Sequence, residues 1–356
     1  MRRLLRLGLP RDPAAGSHLA GFVVAAVVTV LLTRAFLAAA GYPQLGGGGL
    51  HIAHVLWGGL LMALAFVVLL SFAGPVVRPV GALLGGVGFG LFVDEVGKFV
   101  TADNDYFYEP TAALIYAVVV GLVLLAEVLH GRRPHDPREY LAGAVDHAVA
   151  GVAGGFTPVT RDRARGLADR AGTVPGAAEV RALLDAVVDD PDELPNPIAT
   201  VSAAVVRATQ GLAARRWVPW ATVGLLVASL VASAGTGLAA WAGGADVPGW
   251  IVVGLLTSGF AAVGLAVWGL WLVRRDRRAG YRRFRWAVLV SLLVVQVFVF
   301  RLREWSAVTG LLAELVVLGL VGAELSREER QGGLRAGADA RRAEGVSGSA
   351  PDAGLG

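Results

Sequence analysis

Long apolar runs constrain this chain more than any other feature. A helix that crosses a bilayer needs about 20 predominantly apolar residues, because the hydrocarbon core is roughly 30 Å thick and the helix rises about 1.5 Å per residue. Eight stretches reach or approach that length: residues 18–40, 50–73, 79–101, 110–130, 217–242, 249–273, 284–302 and 305–325. The chain has 356 residues, 55% hydrophobic and 17% charged, where a soluble domain carries about 25% charged residues. Such runs in such a background exclude a soluble globule and a disordered chain. The expected fold class is all-α, a polytopic membrane helical bundle of about eight spans. The last two stretches are separated only by Arg301-Leu302-Arg303-Glu304. One helix through both would measure roughly 60 Å, twice the bilayer, so a hairpin is expected there.

Arginine placement orients the spans, since basic residues stay on the cytoplasmic side. Arg2, Arg3, Arg6 and Arg11 precede the first span, Arg132 and Arg133 follow the fourth, and Arg215 and Arg216 precede the fifth. Seven arginines between Arg274 and Arg285 fill the sixth-to-seventh connection, and Arg327, Arg330, Arg335, Arg341 and Arg342 lie in the tail. The alternate loops hold no basic residue: 41–50 is uncharged, 101–109 carries Asp103, Asp105 and Glu109, and 243–248 carries Asp246. Both termini are therefore expected inside; only Arg301 and Arg303 run against the rule. The expected site is the bacterial plasma (inner) membrane, with the lipid bilayer as partner. A net charge of +4 carries no nucleic-acid reading once its arginines are assigned to cytoplasmic loops. Residues 38–40, Ala-Ala-Ala, also imitate a signal-peptide cleavage site; cleavage would leave seven spans and the same orientation for the rest.

The expected organisation is a membrane domain at 1–131, a helical cytoplasmic domain at 132–216, a second membrane domain at 217–325 and a disordered tail at 326–356. In the polar insertion Val180, Leu183, Leu184, Val187 and Val188 form an i, i+3, i+4, i+7, i+8 stripe, which predicts an amphipathic helix. Ile198, Val201, Val205 and Leu212, with Pro197 in the first turn, predict a second one. Such a domain packs on itself or on the membrane face, or receives a cytoplasmic protein partner.

Several chemistries are absent from the sequence. It has no cysteine, which removes disulfides, thiolate metal sites and a cysteine nucleophile. The only lysine, Lys98, precedes Phe99, so there is no P-loop. Gly86-Val87-Gly88-Phe89-Gly90 has Leu91 where a dinucleotide fingerprint needs its third glycine and lies inside a span; close helix packing is its expected role.

One set of side chains remains. Ionisable groups inside spans cost about 2.5–3.5 kcal/mol each on insertion scales and so require a reason. Arg34 stands six residues before the outer end of the first span, about 9 Å in. His51 and His54 open the second span on one face, and Asp94 and Glu95 lie at a similar depth in the third, with Lys98 one turn further. Gly86, Gly90 and Asp94 form one i, i+4, i+8 stripe, which turns Asp94 toward a closely packed neighbour. Gln296 and Glu314 are expected to extend this polar zone inward. Three chemistries fit: an ion-pair network joining Asp94 with Lys98 and Arg34 with Glu95; a proton or ion site of a transporter; or a divalent metal site, zinc or iron, on His51, His54, Asp94 and Glu95.

The sequence Gly90-Leu91-Phe92-Val93-Asp94-Glu95-Val96-Gly97-Lys98-Phe99-Val100-Thr101, followed by Asp103-Asn104-Asp105-Tyr106-Phe107 and preceded by His51-Ile52-Ala53-His54, resembles a block of uncharacterised bacterial multi-pass membrane proteins. The resemblance covers under a third of the chain and implies a bacterial plasma-membrane protein with no activity attached. The expected function is thus that of a membrane protein without resident cofactor, transport-like or scaffolding, built around a buried polar cluster near the external face. A metal-dependent intramembrane hydrolase is the enzymatic alternative.

Overall fold

The structure is a computed structural model and describes residues 5–41, 53–101, 108, 110–130, 134–190, 198, 200, 204, 218–243, 248–273, 275–318 and 320–321. Among these residues the fold is all-α, with one isolated β-bridge between Phe156 and Asp189. Six helices are long and apolar enough to cross a membrane. The chain forms two compact units, 1–202 and 203–356.

In the first unit the membrane-type helices are α1 (Ala15–Ala40), α2 (His54–Ser71), α3 (Val77–Asp94), the short α4 (Val96–Val100) and α5 (Thr111–His130). Large apolar side chains such as Leu32, Phe36, Leu56 and Leu70 are exposed, a surface that lipid rather than water would cover. The interior is instead built from small residues, as membrane interfaces are. α3 packs against both α1 and α2 through its glycines. A Cβ on Gly90 would stand 2.6 Å from Ala26 O on α1, and Gly58 of α2 and Gly88 of α3 face each other so closely that a Cβ on either would strike the other's carbonyl. Gly86 likewise lies against Phe22 and Ala25 of α1. Asp94, next on the Gly86–Gly90 stripe, is fully buried.

Three polar helices follow: α6 (Pro137–Gly154), α7 (Pro158–Ala171) and α8 (Ala177–Ala186). Each of the first two starts on a cap with proline at the first position. Asp136 and Glu139 form a capping box, and Thr157 Oγ1 accepts from Thr160 N–H. Ala144, Ala148, Ala164, Ala168, Leu184 and Phe156 make a small core in which alanines allow the helices close together. The helix expected through residue 188 ends earlier, at Ala186. Val187 is extended, Val188 is exposed, and the chain pairs with Phe156 instead: Phe156 N–H donates to Val188 O at 3.0 Å and Asp190 N–H donates to Phe156 O at 2.9 Å. Those two backbone bonds, with Phe156 filling the core, replace the turn that a longer helix would have added. Of the second expected helix, Ile198 rests against Gly21; Pro197, Val201, Val205 and Leu212 lie outside the described residues.

The second unit contains α9 (Val218–Ala242), α10 (Gly249–Val273), α11 (Arg277–Val290), a π turn (Ser291–Val295), α12 (Gln296–Arg303), a 3₁₀ turn (Glu304–Ala307) and α13 (residues 308–318). Arg275 covers the Trp271 ring at 4.2 Å and Arg283 the Trp268 ring at 3.9 Å, so arginines and indoles meet at the α10–α11 end as they do at a membrane interface. The apolar stretch Ala279–Leu318 spans 40 residues but is not one rod. Ser291 Oγ donates to Glu314 Oε1 at 2.7 Å across 23 residues, which in a continuous helix would stand about 34 Å apart. The chain therefore doubles back, and it turns at Glu304, whose φ of 47° and ψ of −130° break the helix.

Candidate functional site

The C-terminal parts of α1 and α3 and the first residue of α2 meet at Asp94. Arg34, on α1, donates from Nε to Asp94 Oδ1 at 2.6 Å and from Nη2 to the Asp94 carbonyl at 2.8 Å. His54 Nε2 lies 3.0 Å from Asp94 Oδ2. The other ring nitrogen, Nδ1, lies 2.8 Å from Glu95 Oε1, which also accepts from the His54 backbone N–H at 3.1 Å. Lys98 Nζ stands 3.5 Å from the same oxygen. Asp94 and Glu95 are 0% and 1% exposed, while the His54 side chain keeps 20%. Five of the six expected residues, Arg34, His54, Asp94, Glu95 and Lys98, thus come together. His51 lies outside the described residues.

The pairing differs from the i, i+4 scheme. Arg34 takes Asp94, and Lys98 takes Glu95. The cause is a local break: α3 ends at Asp94, Glu95 adopts φ −91° and ψ 10°, and a new short helix begins at Val96. Across that break Glu95 and Lys98 are related as i, i+3 with Lys98 N–H donating to Glu95 O, and Asp94 is left to face the neighbouring helices.

The charges nearly cancel. Arg34 and Lys98 supply two positive charges and Asp94 and Glu95 two negative ones, so His54 decides the net charge. Each imidazole nitrogen faces a carboxylate oxygen, and a carboxylate only accepts. Both contacts are hydrogen bonds only when the ring carries both protons or one carboxyl carries a proton of its own. The ring of His54 thus bridges the two carboxyl groups, one through each nitrogen.

The metal set is represented by His54, Asp94 and Glu95. The imidazole already contacts both carboxyl groups, and a guanidinium and an ammonium sit on the carboxylates. Among the described residues no group of three or more His, Cys, Asp or Glu is disposed as a metal site.

Gln296 and Glu314 belong to the second unit, where they gather with Ser229 and Ser291 into a cluster of their own. The two serines carry no periodic signal in an apolar helix, and only the fold selects them.

A third polar feature escaped the sequence altogether. Arg11, before α1, grips Glu139 of α6 with two bonds, Nε to Oε1 at 2.9 Å and Nη2 to Oε2 at 2.8 Å, and its backbone N–H donates to Oε1 at 3.2 Å. Arg78, at the start of α3, binds both carboxylate oxygens of Asp146 and reaches Asp12 at 3.5 Å. These bonds fasten the polar helices to the membrane helices at the end opposite the cluster. Sixteen residues of α3 separate Arg78 from Asp94, about 24 Å.

Fold and sites together define an all-α, multi-pass helical membrane protein. No family model, curated protein or solved structure matches the chain.

Proposed function

We propose that this chain is an eight-span scaffold of the bacterial plasma membrane, with both termini cytoplasmic. Its first four spans, tied near the external face by the Arg34–His54–Asp94–Glu95–Lys98 cluster, hold the polar helices on the cytoplasmic side. The observation that carries the proposal is the convergence on Asp94 of donors from two other helices, Arg34 from α1 and His54 from α2. Three supports stand beside it. The domain contacts Arg11 and Arg78 lie at the arginine-rich end of the helices and the cluster at the other. The fold-back at Glu304 divides the last 40-residue apolar stretch in two, and α9 is a further apolar helix, which together support a count of eight spans. Val145, Val149 and Val152 form an exposed apolar stripe on α6, which suits a cytoplasmic protein partner.

Breaking a buried ion pair costs about 3–5 kcal/mol, because the surviving charge stays buried. Asp94→Asn is therefore expected to lower thermal stability in detergent by that order, and adding Arg34→Met should return part of the loss. Strictly additive losses would defeat the scaffold. The bonding of both His54 nitrogens favours one second function, proton-linked transport through the same cluster. In that case Asp94→Asn protein, still folded, loses pH-driven uptake in liposomes.

A further inference from the structure

Glu314 is 2% exposed on α13, ten residues past the Glu304 turn, about 15 Å along the helix and so near the middle of a hydrocarbon core about 30 Å thick. Its Oε1 accepts from Ser291 Oγ at 2.7 Å and from Ser229 Oγ of α9 at 3.3 Å. Its Oε2 is buried without a hydrogen-bond partner, and so is the side-chain oxygen of Gln296, a residue 1% exposed that lies against the same carboxyl. No arginine, lysine or histidine among the described residues forms an ion pair with Glu314, in contrast to Asp94 and Glu95 in the first unit. A mid-membrane carboxyl normally has a partner of opposite charge.

The backbone is shaped to this cluster. In an α-helix residues five apart stand about 140° from each other around the axis. Ser291 and Gln296 are five apart, and the π turn between them, closed by Gln296 N–H donating to Ser291 O, brings both onto one face. Opposite them Gly310 offers bare backbone one turn before Glu314: a Cβ there would stand 3.8 Å from Gln296 Nε2 and 3.9 Å from Ser229 Oγ.

We infer that Glu314, Gln296, Ser291 and Ser229 bind a monovalent cation of the sodium class. All four groups offer hard oxygen donors, which select an alkali or alkaline-earth ion over zinc or iron. A single carboxylate is neutralised by one positive charge, whereas a divalent ion would leave a net charge in the hydrocarbon core. The two unpartnered oxygens, Glu314 Oε2 and Gln296 Oε1, are left free to contribute to its coordination.

The test uses the full chain in detergent, in sodium chloride or in choline chloride at equal ionic strength. Sodium is expected to raise the melting temperature saturably, and radioactive sodium ion to bind at one equivalent per chain. Glu314→Gln, which keeps shape but not charge, should abolish both effects. Ser291→Ala keeps the carboxylate; it is expected to lower the melting temperature in choline through the lost hydrogen bond to Glu314 while remaining folded, and to weaken sodium binding at least tenfold, so the proposal stays testable even if Glu314→Gln fails to fold. Equal melting in the two salts with no bound sodium overturns it and leaves Glu314 a carboxyl that takes only a proton. Undiminished sodium binding in Ser291→Ala or Glu314→Gln overturns it too.

Discussion

Asp94 has no exposed surface, and the groups that hydrogen-bond it come from distant places in the sequence: Arg34 60 residues earlier and His54 40 residues earlier. A charge so placed is tolerable only because its partners are fixed by helices that cannot separate. Glu139, on the polar helix α6, follows the same logic. The Arg11 guanidinium, hydrogen-bonded to both its oxygens, holds its carboxyl at about 2, well below the ordinary value of 4.5. A carboxyl lowered in the folded state stabilises fully above its unfolded value and loses that contribution as pH falls through its folded value. Docking of α6 on the base of α1 is thus expected to be intact at neutral pH and to weaken from about pH 4.5 down to about 2. Hydrogen-exchange protection of residues 137–186 measures this; protection unchanged down to pH 2 would defeat it. Arg11→Met removes the same bond at neutral pH, at a cost of about 3 kcal/mol.

At the scale of elements, glycine and helix breaks decide what meets what. Gly86 and Gly90 let α3 approach α1 until only backbone and small side chains separate them, and that approach brings Arg34 to Asp94. The break at Glu95 ends α3 and hands Lys98 to Glu95. The turn at Glu304 places a side chain at φ 47° and ψ −130°, the backbone of the first central residue of a type II′ turn, where glycine is favoured. Such strain costs on the order of 1–3 kcal/mol. Glu304→Gly is therefore expected to be neutral or stabilising by about 1 kcal/mol, whereas Glu304→Val, β-branched and disfavoured at positive φ, should lower the melting temperature. A Glu304→Gly protein markedly less stable than wild type would show that the Glu304 side chain, and not only the turn, holds the hairpin.

At the scale of the molecule the two ends of the first unit differ in what their ion pairs join. Arg11 and Arg78 secure polar helices at one end, and Arg34 and Lys98 neutralise carboxylates at the other. For the eight-span scaffold, reporter fusions after residue 190 and at the C-terminus are expected to report the cytoplasm, and a fusion near residue 46 the exterior. A cytoplasmic signal at residue 46 would overturn the orientation.

How much of this was legible follows from the range of each interaction. The all-α membrane class, the fold-back near residue 304 and the candidate polar residues are readable because hydrophobic burial and helical rise are properties of consecutive residues. The Gly86–Gly90–Asp94 stripe is readable for the same reason, as a periodicity within one helix. The choice of Asp94 for Arg34, the grip of Arg11 on Glu139, the early end of α8 at Ala186 and the meeting of Ser229 with Ser291 at Glu314 were decided only by tertiary structure. Each joins groups tens of residues apart, or depends on a competing backbone pairing with such a group, and an electrostatic or hydrogen-bond partner acts over a few ångströms of space whatever its distance along the chain.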